Sequence, residues 1–196
     1  MEAFEQFVAL ALESEGLAVN GAVKFPVVVH VKKKSRTENQ VHGFEVDLIG
    51  ARNDRLVLAT VKSYFGSRGV VASDVNGLVP SRTSKRYAVL NNATVRKTVT
   101  EAAAKRFGYS MEQLELRLYV GRFALGNEAA VREWCAGQIV GGGPIRVVDA
   151  HEVVAAVRQL AISKQYRDSA VLATMKVLAA TGNLLPEPGA GASVAP

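Results

Sequence analysis

Three stretches rich in β-branched residues, Val23 to Lys34, Gln40 to Arg52 and Arg55 to Tyr64, follow one another with only short polar turns between them. The turns fall around Ser35 to Asn39 and at Asn53-Asp54, too short for a crossover, so each stretch must double back beside the one before it. The pattern predicts an antiparallel three-stranded meander. Ahead of it, Phe4, Phe7, Val8, Ala11 and Leu12 stand at helical spacing and Gly16 follows as a stop, which predicts a helix over residues 3 to 15. Beyond a Gly- and Ser-containing segment with Pro80, residues 92 to 107 read as a helix ending at Gly108, and Leu114 to Val120 as a strand.

A helix from about Glu128 to Ala136 then leads through the turn Gly141-Gly142-Gly143-Pro144 into a short strand, Ile145 to Val148. Asp149 with Glu152 three residues on forms a capping-box pattern for a helix through Leu160. Asp168 is expected to cap a last helix with Val171, Met175 and Leu178 on one face, ended by Gly182. The predicted order is αβββαβ followed by α-β-α-α, an α/β fold with a mixed sheet in one unit over residues 1–185. Residues 186–196 are mostly Pro, Gly and Ala with one charge and no apolar periodicity, and are expected to be disordered.

A chain of 196 residues that is 48% hydrophobic can bury one sizeable core, and its length calls for no second domain. Apolar runs such as Val27-Val28-Val29 are too short to cross a bilayer, and Glu2 and Glu5 stand where a secretory signal carries positive charge, so a cytoplasmic protein without membrane partners is expected. The single cysteine, Cys135 beside Trp134, reads as core filling. The net charge of +6 gathers in Lys32-Lys33-Lys34 with Arg36, in Arg82 with Lys85-Arg86, in Arg96-Lys97 and in Lys105-Arg106. Clusters of this kind attract phosphate backbones through counterion release, and equally describe solvated turns and helix ends.

The segment Gly43-Phe44-Glu45-Val46-Asp47-Leu48-Ile49 alternates, which places Phe44, Val46 and Leu48 on one face of a strand and the acids Glu45 and Asp47 on the other. In the following strand Leu58, Thr60 and Lys62 share a face, and the hairpin at Asn53-Asp54 keeps the two strands adjacent, so Asp47 and Lys62 are expected to meet. A carboxylate that holds a hard divalent cation beside an ammonium that orients or deprotonates water suits phosphodiester hydrolysis. By spacing alone the same residues also fit a solvated sheet face with a cross-strand ion pair.

Glu-Val-Asp-Leu, a tight turn, an apolar strand ending in Val-Lys-Ser, then Arg68-Gly69-Val70 and Asp74 resemble the PD-(D/E)XK nuclease superfamily, and Mrr-like and resolvase-like nucleases in particular, over about residues 2 to 122. The resemblance implies a restriction-endonuclease-like αβββαβ core. It also implies a metal-dependent deoxyribonuclease using Mg²⁺ or Mn²⁺, with Asp47 and Glu5 as metal ligands and Lys62 at the water or phosphate. Lys32, Lys33, Lys34, Arg36, Arg82, Lys85 and Arg86 are then the expected contacts to duplex or branched DNA, and a homodimer is expected. One position departs from the family pattern: Thr60 stands where Glu or Asp precedes the lysine by two residues. Three readings follow: a rearranged catalytic site in which Glu45 or the Thr60 hydroxyl fills the missing place, a nuclease-shaped DNA binder without hydrolysis, and a protein-interaction module.

Other motifs carry less. The Gly141 to Gly143 run lacks the Gly-Lys-Ser/Thr of a phosphate loop, and His30, His42 and His151 show neither zinc spacing nor an HExxH pattern. No Gly-x-Ser-x-Gly elbow is present. His42, five residues before Asp47, is a candidate phosphate contact or an ordinary surface residue. Because residues 186–196 offer no apolar face, their deletion is expected to leave the melting temperature and DNA affinity unchanged. A fall of several degrees in a thermal melt would mean that the tail packs.

Overall fold

The computed structural model describes residues 2–32, 37–164 and 168–183. Helix α1 (Ala3–Ser14) is opened by a reciprocal cap between Glu2 and Glu5 and is followed by Gly16 at φ +79°, the left-handed stop its sequence predicts. Strands β1 (Ala18–Lys32), β2 (Thr37–Arg52) and β3 (Arg55–Lys62) form the meander. At the β2–β3 turn Arg52 grips Asp54 through Nε and Nη2 at 2.6 and 2.7 Å, holding the Asp54 carboxyl down to about 2.

Between β3 and β4 (Leu114–Val120) lie a short α2 (Ala72–Asn76), a 3₁₀ turn (Ser84–Tyr87) running into α3 (Ala88–Asn91), and α4 (Ala93–Phe107). The two short helices were not foreseen; each is at most five residues long, below the length at which apolar periodicity can be read. Helix α4 starts at Asn92, whose side chain accepts from the Thr94 and Val95 amides, and ends at Gly108 with φ +77°. After β4 come α5 (Glu128–Ala136), the two-residue strands β5 (Ile139–Val140) and β6 (Gly143–Pro144), β7 (Arg146–Asp149), α6 (Ala150–Ile162) and α7 (Ala170–Ala180). The glycine run is thus the turn of a miniature hairpin. The Asp149–Glu152 capping box is present, whereas α7 is capped by Ser169 rather than Asp168, its hydroxyl accepting from the Leu172 amide. The buried face of α7 is centred on Leu172 and Met175, with Val171 packed beside them, and Leu178 is 37% exposed.

One five-stranded mixed sheet, in the order β1-β2-β3-β4-β7, organises the molecule. The first three strands are antiparallel, and β3, β4 and β7 run parallel. Helices cover both faces, so β3 and β4 are buried on both sides and read as continuous apolar runs. On one face Leu56, Leu58, Leu116 and Leu118 pack against Val95, Val99 and Ala103 of α4 and Val131 and Cys135 of α5. Burial pushes the Cys135 thiol up to about 12, in keeping with core filling. On the other face Val57, Ala59 and Val61 meet Phe4, Val8 and Leu12 of α1 and Val153 of α6. Helix α7 adds Leu172 and Met175 to a small cluster with Leu10, Val157 and Ala161. Strands β1 and β2 stay paired as far as Lys32 opposite Thr37, well past the last β2–β3 pair at Leu48–Ala59. Among the described residues no helix is long and apolar enough to cross a membrane.

Arg117 of β4 is fully buried on the α1 face. Its guanidinium donates to both Glu15 oxygens at 2.7 and 3.0 Å and to Glu115 Oε2 at 2.6 and 3.0 Å, and lies 3.3 Å from the Tyr119 hydroxyl. Burial alone would lower the guanidinium's pKa; its bonds to Glu15, Tyr119 and Glu115 outweigh that and raise it. Replacing Arg117 with Ala leaves the Glu15 and Glu115 carboxylates with Arg55 as their remaining cation, 3.8 and 3.4 Å away. Glu15 and Glu115 side chains are 32% and 36% exposed and can turn to water, so the expected loss is about 3 kcal/mol, the lower end for a broken buried pair. Urea unfolding measures it, and a loss below about 1 kcal/mol would remove Arg117 as the anchor of α1.

Candidate active site

The site forms where the sheet comes apart. Pairing of β2 with β3 stops at Leu48–Ala59, so the next pair of the register, Asp47 with Thr60, is not made. Instead of continuing the ladder, the Asp47 carboxylate itself accepts the Val61 amide, Oδ2 to N 2.6 Å. On its other flank Asp47 and Ala22 drop out of the β1–β2 ladder, and Ala22 takes φ +54°. A β-branched or bulky residue would be a genuine outlier in that conformation; alanine avoids that but still carries the Cβ cost that glycine would not.

This break corrects one expectation from the sequence. Phe44 and Val46 join the α4-side core, but Leu48 is buried on the α1 side with Leu12 and Val57. The alternation changes face at Asp47, because a residue held out of both ladders need not keep the period of two. On β3 the alternation holds. Leu58 and Leu56 face the α4-side core and Lys62 lies on the same side, its Nζ 5.9 Å from the centre of the Tyr87 ring.

Asp47 and Lys62 do meet: Nζ is 3.6 Å from Asp47 Oδ2, with both side chains less than one-fifth exposed. Lys62 also donates to its own strand at Val61 O, 3.0 Å away. Thr60 is buried at 4% exposure between them. Asp47 and Glu45 border two cavities of opposite character. On the α4 side a cleft of about 230 Å³ is lined by Asp47, Glu45, Thr60 and Lys62 together with Lys85 and Arg86 of the 3₁₀ turn. On the α1 side a cavity of about 500 Å³ is lined by Glu2, Glu5, Glu45 and Asp47, with Gly21 and Ala22 at its floor. The cations Lys62, Lys85 and Arg86 line only the α4-side cleft and Glu2 and Glu5 only the α1-side cavity, while Glu45 and Asp47 border both.

The carboxylates are of the right kind for a hard divalent cation. They are not drawn together: Glu5 Oε2 accepts the Glu2 amide at 2.9 Å, Glu2 Oε2 accepts from the Ser63 hydroxyl at 2.9 Å, and Glu45 lies 3.5 Å from Lys24 Nζ. Among the described residues no three acidic, histidine or cysteine side chains form a metal-sized cluster.

Of the basic residues read from the sequence, Lys85 and Arg86 reach the cleft, and Arg82 is exposed on the same turn without lining it. Lys32 ends β1, but its side chain, and Lys33, Lys34 and Arg36 altogether, lie outside the described residues. On α4, Arg96 is half-buried and donates to the Leu90 carbonyl and to Gln138, and Arg106 stacks over Phe25 and Phe107, so these two serve the fold. His42 is exposed beside Gln40, Nε2 to Oε1 3.2 Å, and does not line the cleft. Asp74 accepts from the Ser81 hydroxyl at 3.2 Å and steadies the turn that carries Lys85 and Arg86. Tyr87 was missed by the sequence reading; it is buried under the cleft, and burial followed by its contact with Tyr64 raises its hydroxyl's pKa.

The chain matches no protein-family model, no curated protein and no solved structure. The fold and site therefore define a mixed α/β protein with a charge-divided opening at the parting of β2 and β3.

Asp47 carries two loads, a hydrogen bond that closes the sheet and an ion pair with Lys62. Asp47→Asn keeps an acceptor for the Val61 amide and is expected to cost about 1 kcal/mol, whereas Asp47→Ala orphans a buried N–H and is expected to cost about 2–3 kcal/mol. Equal losses in urea unfolding would show that the carboxylate does not support β3.

Proposed function

We propose that this chain is a nuclease-fold phosphodiesterase that cleaves DNA with Mg²⁺ or Mn²⁺. The observation that carries the reading is the Asp47–Lys62 pair at 3.6 Å, set between a carboxylate-lined cavity and a cation-lined cleft. The element order α1, β1, β2, β3, α4, β4, antiparallel through β3 and then parallel, agrees with the restriction-endonuclease-like core implied by the resemblance.

Asp47 and Glu5 are the residues that would hold the cation, with Glu45 in the place left open by Thr60. The cation would supply charge neutralisation at the scissile phosphate. Lys62 presents an ammonium at the same point and orients water or a phosphate oxygen, while Lys85 and Arg86 hold the flanking backbone by charge and carry no sequence information. The basic surface predicts micromolar or weaker affinity for duplex DNA that falls steeply with added salt. A homodimer belongs to the same proposal.

A second reading, a nuclease-shaped DNA binder without hydrolysis, is favoured by the separation of the four carboxylates and by the neutral Thr60. Thr60→Glu separates the two. If the site lacks only this carboxylate, the variant binds Mn²⁺ more tightly in calorimetric titration and cleaves supercoiled, linear or branched DNA at least as well as the parent, and adding Asp47→Ala abolishes cleavage. A folded variant that gains neither metal affinity nor cleavage rejects that hypothesis. If instead the parent cleaves, Thr60→Glu slows it and Glu45→Ala stops it, the ligand has moved to Glu45.

A further inference from the structure

Beside the carboxylate cavity lies a second, apolar one of about 390 Å³, walled by Phe4, Phe7, Phe65 and Val154 and edged by Ser63 and Glu2. Its volume is near the bottom of the roughly 300–1,000 Å³ range of small-molecule sites, the scale of one ring system. It opens at the carboxyl ends of the parallel strands: β3 ends at Lys62 just before Ser63, β4 ends at Val120 just before Gly121, and β7 ends at Asp149 where α6 begins. Open α/β sheets bind ligands outside these ends.

Phe65 is held in place by local structure rather than left over from the core. Its ring is 54% exposed, and the edge of the Phe4 ring meets it at 5.3 Å and 89°. The preceding Tyr64 has φ +47°, a conformation that a bulky residue keeps only when its surroundings enforce it. Gly121 makes room for this segment, since a Cβ there would lie 2.2 Å from the Ser63 carbonyl and 2.9 Å from the Phe65 ring. A strained backbone and a glycine cradle together leave an aromatic ring exposed to solvent, three residues after Lys62.

We propose that this cavity receives a nucleobase of the bound strand, stacked on Phe65 with its edge toward the hydrogen-bonded Ser63–Glu2 pair, Oγ to Oε2 2.9 Å. The occupant follows from position and chemistry. Glu2 lines both this cavity and the carboxylate cavity, so a strand whose phosphate lies at Asp47 and Lys62 has its neighbouring base within reach. Ser63 offers a donor or acceptor and Glu2 an acceptor to a ring edge, and the apolar walls suit a ring face. A base can enter only from an unpaired or locally opened strand, which makes single-stranded or branched DNA the preferred substrate class of the proposed nuclease.

The inference rests on the nucleic-acid reading, and the test separates them. Fluorescence anisotropy compares a single-stranded oligodeoxynucleotide with an abasic deoxyribose-phosphate strand of equal length and charge. The parent is expected to prefer the strand with bases by about 5- to 150-fold, the range of one stacked base. Phe65→Ala and the cavity-filling Val154→Trp are expected to remove that preference while still binding the abasic strand. Leu78→Ala, at another exposed apolar residue, is expected to keep it. Equal affinity of the parent for both strands, or a preference that survives in folded Phe65→Ala and Val154→Trp, overturns the inference and leaves the proposed nuclease standing. If neither strand binds, the proposed function fails, and adenosine alone decides the pocket: shifts of the Ala150 and Val154 methyl resonances that vanish in Phe65→Ala support it, and their absence in the parent overturns it.

Discussion

Everything at the proposed site depends on where the first helix is fixed, and the fixing is done by Arg117. Its fork reaches Glu15 at the end of α1 and Glu115 on its own strand, while Arg55 at the start of β3 approaches the same two carboxylates at 3.8 and 3.4 Å. Arg52 adds a bond to the Glu15 carbonyl at 2.9 Å. One end of α1 is thereby tied to β2, β3 and β4 together. A helix of 12 residues spans about 18 Å, so the opposite end lies over the far ends of β2 and β3, where Glu2 meets Ser63 and Glu5 enters the carboxylate cavity. A buried ionic cluster of this kind is a weak source of net stability compared with apolar packing. Its bidentate geometry pins the end of α1 at Glu15, the packing of Phe4, Val8 and Leu12 seats the rest of the helix, and Glu2 and Glu5 thereby line a cavity with Asp47.

The second constraint is the break at Asp47. A regular ladder would leave no opening between β2 and β3, and the amide of Val61 would bond to a carbonyl. Here a side-chain carboxylate satisfies that amide, so the strands separate without orphaning a buried donor. Asp47 and Glu45 thereby line a cavity on each side of the parted strands. The local costs are a left-handed Ala22 and a partly buried charge pair, both borne next to the site.

Much of this was legible in the sequence because it is written in short-range chemistry. The meander followed from β-branched runs and short turns, the end of α4 from Gly108, α6 from Asp149 and Glu152, and the Asp47–Lys62 meeting from a tight hairpin that fixes register. The face change after Val46 was not legible, since nothing in Val-Asp-Leu marks a residue that will leave both ladders. Nor were the roles of Arg117, Phe65 and Gly121. Arg117 looks like the polar half of an exposed alternation until Glu15, 102 residues away, covers it. Gly121 acquires its meaning only from the approach of Ser63, and Phe65 from the cavity beside it. Short helices between Ala72 and Asn91 escaped because their positions are set by tertiary contacts, such as Asn91 donating to the Asp74 and Ser84 carbonyls at 3.0 Å each.

The identity of residue 60 can be understood from the same physics. Its side chain is 4% exposed and faces Asp47 across the parted strands. A carboxylate there would place two negative charges side by side away from water, with Lys62 alone to offset them, and without a cation one of the pair would be pushed toward its protonated form. Threonine avoids that repulsion, adds a β-branched residue suited to a central strand, and leaves Asp47 free to bond Val61 and pair with Lys62. The sheet is therefore self-consistent without metal, and no vacancy at the parting of the strands draws the remaining carboxylates inward. Glu5 closes the cap of α1 and Glu45 pairs with Lys24 on β1, each with a partner of its own. A cation entering from the α1 side must compete with those partners, and the strength of that competition separates the two readings proposed above, a hydrolysing site and a binding one.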